Sequence, residues 1–210
     1  MKFLLIAFTI AGLCLLAKAQ TKTAPPVKPG AKSGKSATPD EDVQIYRNPA
    51  IGFRYEIPYG WVDRTKEMGA ASEEEKAEVL LAVFERPPDA AGDSVNSAVV
   101  IASERAAAYP GLKRAEDYLG PLTELATSKG FKPEGEPYAL EVESRQLLRA
   151  DFVKPLNPET TGEKLTMHQC TLVLLAKGHI VSFTFIAGSD DELDELMDGL
   201  HFSTAKSPAS

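Results

Sequence analysis

The sequence predicts an α+β domain built on a mostly antiparallel β-sheet. Two apolar runs, Leu165–Ala176 and His179–Ala187, are separated only by Lys177-Gly178, which is the pattern of a β-hairpin with a tight turn. The second run alternates apolar and polar residues, as a strand with one buried face does. Capping-box patterns at Ser72 and Ser189 mark the starts of two helices, which supply the α component.

This hairpin also predicts which residues form the core. With a two-residue loop, Ala176 pairs with His179, and alternate residues of the two strands then share a face. A three-residue loop would reassign the faces of the first strand, so both pairings are considered. The inner face predicted from the two-residue loop consists of His168, Cys170, Leu172, Leu174, Val181, Phe183 and Phe185.

The first 42 residues are predicted to be a signal peptide and a linker. Residues 1–19 combine a positive start, an apolar run and a small-x-small site, which predicts cleavage between Ala19 and Gln20 and export to the periplasm or the medium. A retained anchor is the alternative, although the apolar run is short for a membrane span. Residues 20–42 are rich in Pro, Lys, Ser and Gly, a composition typical of a disordered linker.

Residues 43–204 are predicted to form one acidic domain, followed by a flexible tail at 205–210. The whole chain has a formal net charge of −7, and its signal and linker are net positive, so the domain is more acidic than the chain. Such a charge disfavours nucleic acid and anionic membranes as partners. Cys14 leaves with the signal, so Cys170 has no disulfide partner and is expected to be buried.

In the first half of the domain, alternation and apolar runs predict four strands and one short helix. The helix covers Glu73–Glu78, with Ser72 and Glu75 as its capping box. A loop is predicted over Arg86–Asn96, which contains two prolines and a glycine. The strands are predicted at Gln44–Tyr46, Ile51–Ile57, Val79–Phe84 and Ala98–Ala102.

In the second half, apolar residues recur at helical spacing over Ala115–Ala126, and Gly130 closes that helix. Pro121 requires the helix to start late or to kink, because proline cannot occupy a helix interior without strain. Two strands and a second loop lead into the hairpin, at Tyr138–Val142, Leu148–Phe152 and Lys154–Glu163.

An acidic helix, Asp190–Asp198, follows the hairpin and carries the predicted partner-binding residues. Ser189 and Glu192 form its capping box, Gly199 ends it, and a short strand follows at Leu200–Ser203. Like charges stack along it at i, i+4 and i+8, which lowers helix stability. One interpretation is a solvated face, and the other is a stripe that meets a basic partner or a cation, formed by Asp190, Asp194 and Asp198.

No catalytic motif is present, so the sequence predicts no catalytic residue, cofactor or metal ligand. His168 and Cys170 share a strand face, where a metal or a Cys–His nucleophile pair is the alternative to plain core packing. A run of aromatic residues is interpreted as packing of the first strands, with a ligand groove as the alternative. These residues are Tyr46, Phe53, Tyr55, Tyr59 and Trp61.

The pattern Tyr46-x-Asn48-x-x-x-Gly52-Phe53-x-Tyr55-x-x-Pro58-x-Gly60-Trp61 resembles the opening of PsbP-like domains. The end is similar too, with a long hairpin, a short acidic helix and a Leu-x-Phe strand at Leu200–Phe202. The resemblance implies an α/β/α sandwich, a mostly antiparallel sheet with helices on both faces. Members are mostly accessory or binding proteins, including extrinsic photosystem subunits, a Ran-binding nuclear transport factor and bacterial envelope lipoproteins.

Two functions are therefore expected from different classes. The first is a non-catalytic, monomeric binding or accessory module of the bacterial envelope, whose partner is an envelope protein or a small ligand. The second is a small secreted hydrolase or ligand-processing enzyme with its site on the loops at 86–96 and 154–163, since long loops often carry sites. Cation binding by the acidic helix is a third option.

Overall fold

The computed structural model describes residues 44–71, 77–87, 90, 94–156 and 165–203. The predicted signal peptide, cleavage site, linker and tail lie outside the described residues. In the part that is described, no helix is long and apolar enough to cross a membrane.

The described residues form two antiparallel sheets and three α-helices, which confirms the α+β class. The smaller sheet has the order β1-β2-β10, and the larger has the order β3-β4-β5-β9-β8-β7-β6. The strands are β1 Gln44–Asn48, β2 Phe53–Ile57, β3 Val62–Asp63, β4 Ala77–Phe84, β5 Ala98–Arg105, β6 Lys132–Val142, β7 Arg145–Leu156, β8 Leu165–Ala176, β9 His179–Ala187 and β10 Leu200–Phe202. The helices are α1 Thr65–Ala71, α2 Leu119–Ser128 and α3 Asp190–Asp198.

The predicted hairpin is confirmed with its two-residue loop. Ala176 pairs with His179, and strands β8 and β9 lie at the centre of the larger sheet. Lys177 and Gly178 both have positive φ, 51° and 79°, which is the backbone of a type I′ turn whose twist matches that of the strands. Cys170 is fully buried, as its predicted inward position requires.

One continuous apolar core covers the predicted inner face of the hairpin except His168, which lies outside this core. It joins Leu172 and Phe183 to the smaller sheet through Phe53 and Tyr55, and to helix α3 through Leu193. Alternate residues face away from this core and belong to two other clusters. Val173 packs with residues of α2 in one of them, while Met68 of α1 packs with residues of β4 and β5 in the other.

The prediction of a helix over Glu73–Glu78 is wrong for its last two residues. Ala77 and Glu78 lie in β4, paired with Glu104 and Ser103 of β5, whereas Ser72–Lys76 lie outside the described residues. Pairing with β5 buries Ala77, and this tertiary contact outweighs the helical preference of a local Ala/Glu sequence.

The prediction of a loop over Lys154–Glu163 is also wrong for its first three residues. Lys154–Leu156 continue strand β7 because β8 reaches back to Leu165 and pairs with them, and residues 157–164 lie outside the described part. Strand β2 begins at Phe53 rather than Ile51, after Gly52 with a φ of 96°.

Helix α2 starts late enough to accommodate Pro121, as predicted. A 3-10 turn occupies Ala115–Tyr118, and the α-helix begins at Leu119, so Pro121 lies in its first turn, where no intrahelical N–H bond is required. The helix ends as expected before Gly130, whose φ is 83°.

The cap of α3 is confirmed in part. Ser189 Oγ accepts a hydrogen bond from the Glu192 N–H at 3.3 Å, as an N-cap does. The Glu192 carboxylate reaches back to the N–H of Gly188 at 3.0 Å, one residue before the expected partner.

Glu143 connects the two sheets and provides a pH-dependent test of the fold. Its carboxylate accepts the Phe202 N–H at 2.7 Å and lies 2.8 Å from His201 Nδ1, and these two contacts, that of His201 first, hold the pKa of Glu143 below its usual range. A carboxylate with a lowered folded pKa stabilises the protein above its unfolded pKa of about 4.3. That stabilisation disappears as the pH falls through the folded value.

We therefore expect Glu143→Gln to lower the urea midpoint at neutral pH, with the difference from wild type closing as the pH falls below about 4. Urea unfolding monitored by far-UV circular dichroism across that range measures the difference. Exposed Glu141, on the adjoining strand, supplies the matched control as Glu141→Gln. An equal effect of the two substitutions, or a difference that persists in acid, would contradict the role of Glu143.

Candidate functional site

A polar cavity of about 200 Å³ lies where strands β6, β7 and β8 meet the start of helix α3. We call it the His168 pocket. It brings one imidazole, three carboxylates and one guanidinium together in a small space, and such convergent polar groups make it a candidate binding site. Its lining is Glu134, Gly135, Arg149, Asp151, Phe152, His168, Gln169, Asp190 and Leu193.

His168 and Asp190 are brought together by the central hairpin. His168 pairs with Ala187 across β8 and β9, and the chain then turns through Gly188 and Ser189 into helix α3, which begins at Asp190. His168 Nδ1 lies 2.8 Å from Asp190 Oδ1. Nδ1 is nevertheless buried with no well-directed hydrogen bond, so this close contact is not explained by an aligned N–H donor.

Glu134 reaches the same point from the edge of the sheet. The pairing of β6 with β7 is irregular between Glu134 and Tyr138, and Glu134 itself pairs with Asp151. Bulges of this kind redirect side chains and often occur beside sites. Ligand atoms of Glu134, His168 and Asp190 all lie within 4.8 Å of one another, so a single ion could contact all three.

Arg149 partly neutralises this acidic pocket. Its Nε lies 3.0 Å from both carboxylate oxygens of Asp151, and its Nη1 lies 3.7 Å from Asp194 Oδ1. The guanidinium also lies 5.8 Å from the ring centroid of Tyr138. Asp151 takes the closest contacts of the guanidinium. Among the described residues, the ion pairs of Arg149 are with Asp151 and Asp194, so the guanidinium leaves Glu134 and Asp190 to another cation.

Cys170 does not act as a nucleophile beside His168. Its Sγ is fully buried and contacts Met197 Sδ at 3.5 Å. Burial raises the pKa of the thiol far above its usual range, although the nearby Arg149 opposes the shift. The reactive thiolate is therefore not populated at neutral pH, and the Cys–His alternative raised from the sequence is not supported.

The three predicted partner-binding residues lie along α3 at different distances from the His168 pocket. Asp190 lines the His168 pocket and Asp194 lies beside it through Arg149, whereas Asp198 is exposed at the other end of α3 and does not line the pocket. The predicted packing of the aromatic residues is confirmed for Phe53 and Tyr55, which are buried, whereas Tyr59 is 82% exposed. None of the described residues in the two predicted loops lines the pocket.

Sequence reasoning missed Glu134 and the side-chain contact between His168 and Asp190. The contact between His168 and Asp190 could have been predicted. The predicted hairpin register places His168 opposite Ala187, and Ala187 lies three residues before Asp190, where the helix begins. Glu134 had no such signal, since its position depends on an irregularity in the edge strand.

Comparison with known proteins yields likenesses of fold. No family model and no curated protein matches the chain. Among solved structures, a cyanobacterial PsbP from Synechocystis sp. PCC 6803 matches at 12% identity and a TM-score of 0.47, over 81% of this chain and 98% of that one. LpqN, involved in cell envelope biogenesis of Mycobacterium tuberculosis, matches at 15% identity and a TM-score of 0.40, over 79% and 94%.

The Ran-binding protein Mog1p of Saccharomyces cerevisiae matches at 10% identity and a TM-score of 0.41, over 78% of this chain and 96% of that one. These neighbours fit the PsbP-like resemblance of the sequence. Because the identities and TM-scores are low, none of these likenesses assigns a function to this chain.

Proposed function

We propose that this protein is an exported, non-catalytic binding module of the bacterial envelope, whose binding centre is a divalent cation held in the His168 pocket. The observation that carries the proposal is the convergence of Glu134, His168 and Asp190 within 4.8 Å. The three ligands come from an edge strand, a central strand and a helix, so the fold itself assembles the site.

The donor set favours Zn²⁺ or Mn²⁺. One imidazole nitrogen and two carboxylate oxygens suit metals intermediate between those that prefer nitrogen and those that prefer oxygen. The 2.8 Å separation of His168 Nδ1 and Asp190 Oδ1 is about the spacing of two adjacent ligands on an ion with bonds near 2.0–2.1 Å. Three protein ligands leave coordination positions open for a carboxylate or carbonyl of a partner.

The acidic face of α3 adjoins this centre and is proposed to orient the partner. Asp194 and Asp198 are exposed on the same helix as Asp190, so a basic partner would meet the stripe while an acidic group binds the ion. The α/β/α layering implied by the family resemblance is part of the proposal. It is supported by α2 packing with Val173 and α3 packing with Leu172, since neighbouring residues of one strand point to opposite faces.

A binding role is supported over nucleophilic catalysis by the composition of the pocket. Its lining includes neither a hydroxyl nor a thiol side chain, and the adjacent Cys170 is protonated at neutral pH because burial raises its pKa. The competing hydrolase is tested by turnover of ester, peptide and phosphate substrates with Zn²⁺ or Mn²⁺ added. Turnover that disappears in His168→Ala would replace the binding proposal with a hydrolase.

Export is supported by residues 1–19, with their apolar run and small-x-small site. Fractionation of cells expressing the full chain, followed by mass spectrometry of the purified protein, tests it. We expect the protein outside the cytoplasm, beginning at Gln20. A cytoplasmic protein that retains Met1 would contradict export.

Titration calorimetry with Zn²⁺ and with Mn²⁺ tests the cation site. We expect wild-type protein to bind one ion, and His168→Ala and Asp190→Asn to weaken binding at least about tenfold, because each removes a ligand. Asp191→Asn is the matched control, since Asp191 is also exposed in the first turn of α3 but does not line the pocket. Absence of binding, or equal losses in the Asp190 and Asp191 variants, would exclude the site.

The partner is tested by pull-down from envelope extracts with metal-loaded protein. We expect a specific protein to be retained by wild type and lost with both His168→Ala and the double variant Asp194→Asn/Asp198→Asn. Retention that is unchanged in both variants would place the partner surface elsewhere on the domain.

A further inference from the structure

A second cavity, of about 110 Å³, lies between the larger sheet and helix α2. We call it the Glu104 cavity. Its floor comes from strands β5 and β9 and its roof from α2, and its walls are mostly apolar. The lining is Met68, Ala77, Val100, Ala102, Glu104, Tyr118, Leu122, Leu125, Ala126, Lys129, Phe131, Gln169, Ser182, Thr184 and Ile186.

The cavity exists because small and polar residues interrupt the apolar packing on this face. Along β9, Ile180 belongs to the cluster under α2 and Ile186 to the cluster that includes α1. Ser182 and Thr184 lie between them and belong to neither cluster. Ala102 of β5 pairs with Ser182, and the short side chains of these two floor residues leave the space under α2 unfilled.

A buried carboxylate forms one end of this mostly apolar space. Glu104 is only 6% exposed, and its two carboxylate oxygens accept hydrogen bonds from the hydroxyls of Tyr109 and Tyr118. Burial raises the pKa of both tyrosines, and Glu104 raises it further, so both remain neutral donors. Each oxygen keeps a second acceptor position that a ligand can occupy.

The cavity runs along helix α2, with its two charged residues at opposite ends. Tyr118, beside Glu104, is the N-cap of α2, and Lys129 is its C-cap. Eleven residues of helix separate them by about 16 Å. A positive ligand group at Glu104 is therefore remote from Lys129, and the apolar side chains between the two ends face the body of the ligand.

We propose that the Glu104 cavity binds a short aliphatic ammonium compound, with its chain along α2 and its ammonium at Glu104. Charge-assisted hydrogen bonds to a carboxylate are the strongest available to such a group. No hydrogen bond of the Ser182 hydroxyl is found in the described part of the chain, so this floor residue offers a further acceptor. The volume is somewhat below the roughly 150 Å³ that holds a benzene, which suits about five non-hydrogen atoms.

The probe is n-butylamine, added to the full mature chain and followed by backbone amide NMR, with 1-butanol as the uncharged analogue. We expect n-butylamine to bind in the millimolar range, to shift resonances of β5, β9 and α2, and to bind more tightly than 1-butanol. Glu104→Gln is expected to weaken n-butylamine binding about tenfold while leaving 1-butanol binding unchanged.

Ala102→Leu keeps the test conclusive if Glu104→Gln impairs folding, because it fills the cavity and leaves the carboxylate in place. We expect it to abolish binding of both probes. Glu136→Gln, at an exposed acid on β6, is the matched control and should bind as wild type does. Equal affinity for the two probes, binding that survives Ala102→Leu, or no binding at millimolar concentrations would each overturn the proposal.

This inference does not rest on the cation centre, although Gln169 lines both cavities. His168→Ala is expected to leave n-butylamine binding unchanged, and Ala102→Leu is expected to leave Zn²⁺ and Mn²⁺ binding unchanged. Each of the two sites can therefore fail without the other.

Discussion

Replacing Phe183 with alanine is expected to lower the free energy of unfolding by about 4 kcal/mol, the middle of the range for deleting a buried phenylalanine. Phe183 is fully buried on the central strand β9. Its ring meets Phe53 edge-on at 5.0 Å and Phe202 at 5.9 Å, so it joins the larger sheet to strands β2 and β10 of the smaller one. The substitution removes all of these contacts and leaves a cavity that a rigid sheet cannot close.

Thermal and urea unfolding measure the loss, and a melting temperature lower by about 10 °C is expected for a domain of this size. Tyr59→Ala is the control, because Tyr59 is also aromatic but 82% exposed, and its removal is expected to change stability by less than about 0.5 kcal/mol. Similar losses in the two variants would mean that the sheets are not joined through Phe183.

Alkaline pH is expected to unfold the protein steeply above about pH 10, because Tyr55, Tyr118 and Cys170 are buried with raised pKa values and half-buried Tyr109 has a raised pKa too. Burial is the main cause for Tyr55, Tyr118 and Cys170 alike. In the unfolded chain, tyrosine loses its proton near pH 10 and cysteine near pH 8.5, whereas the folded groups keep theirs. The unfolded state then binds fewer protons, so stability falls as the pH rises.

Each such group contributes about 1.4 kcal/mol per pH unit, so the three buried groups together contribute about 4 kcal/mol per pH unit above pH 10, and Tyr109 adds to that slope. Urea unfolding at a series of alkaline pH values measures this slope. Tyr55→Phe and Tyr118→Phe are each expected to reduce it by about 1.4 kcal/mol per pH unit, since each removes one titrating proton. Exposed Tyr59→Phe is the control, and an undiminished slope in the Tyr55/Tyr118 double variant would contradict the assignment.

Local sequence patterns predicted the structure correctly where a short-range feature, such as a turn or a helix cap, determines it. The Lys177-Gly178 turn and the alternation of Val181, Phe183 and Phe185 predicted the hairpin, its register and the burial of Cys170, and all three are confirmed. The same holds for the start of α3 at Asp190, where the Ser189 cap is a local hydrogen bond. Such features depend on backbone geometry within a few residues, which the sequence encodes directly.

Local patterns failed where a distant strand competed. Ala77 and Glu78 are residue types that favour a helix, but they pair with β5. Lys154–Leu156 belong to a segment predicted as a loop, but they pair with β8. In both cases a long-range ladder buries residues and satisfies backbone groups that no local pattern reveals.

By itself, the sequence determined the α+β class, the central hairpin and the acidic helix that follows it, because turn chemistry, alternation and capping act over short distances. Only the tertiary structure decided where chemistry can occur. Glu134, His168 and Asp190 lie far apart in the chain and meet through strand order, an edge irregularity and the start of a helix. The Glu104 cavity likewise arises where packed layers leave a gap, and a gap is a property of packing that no single segment contains.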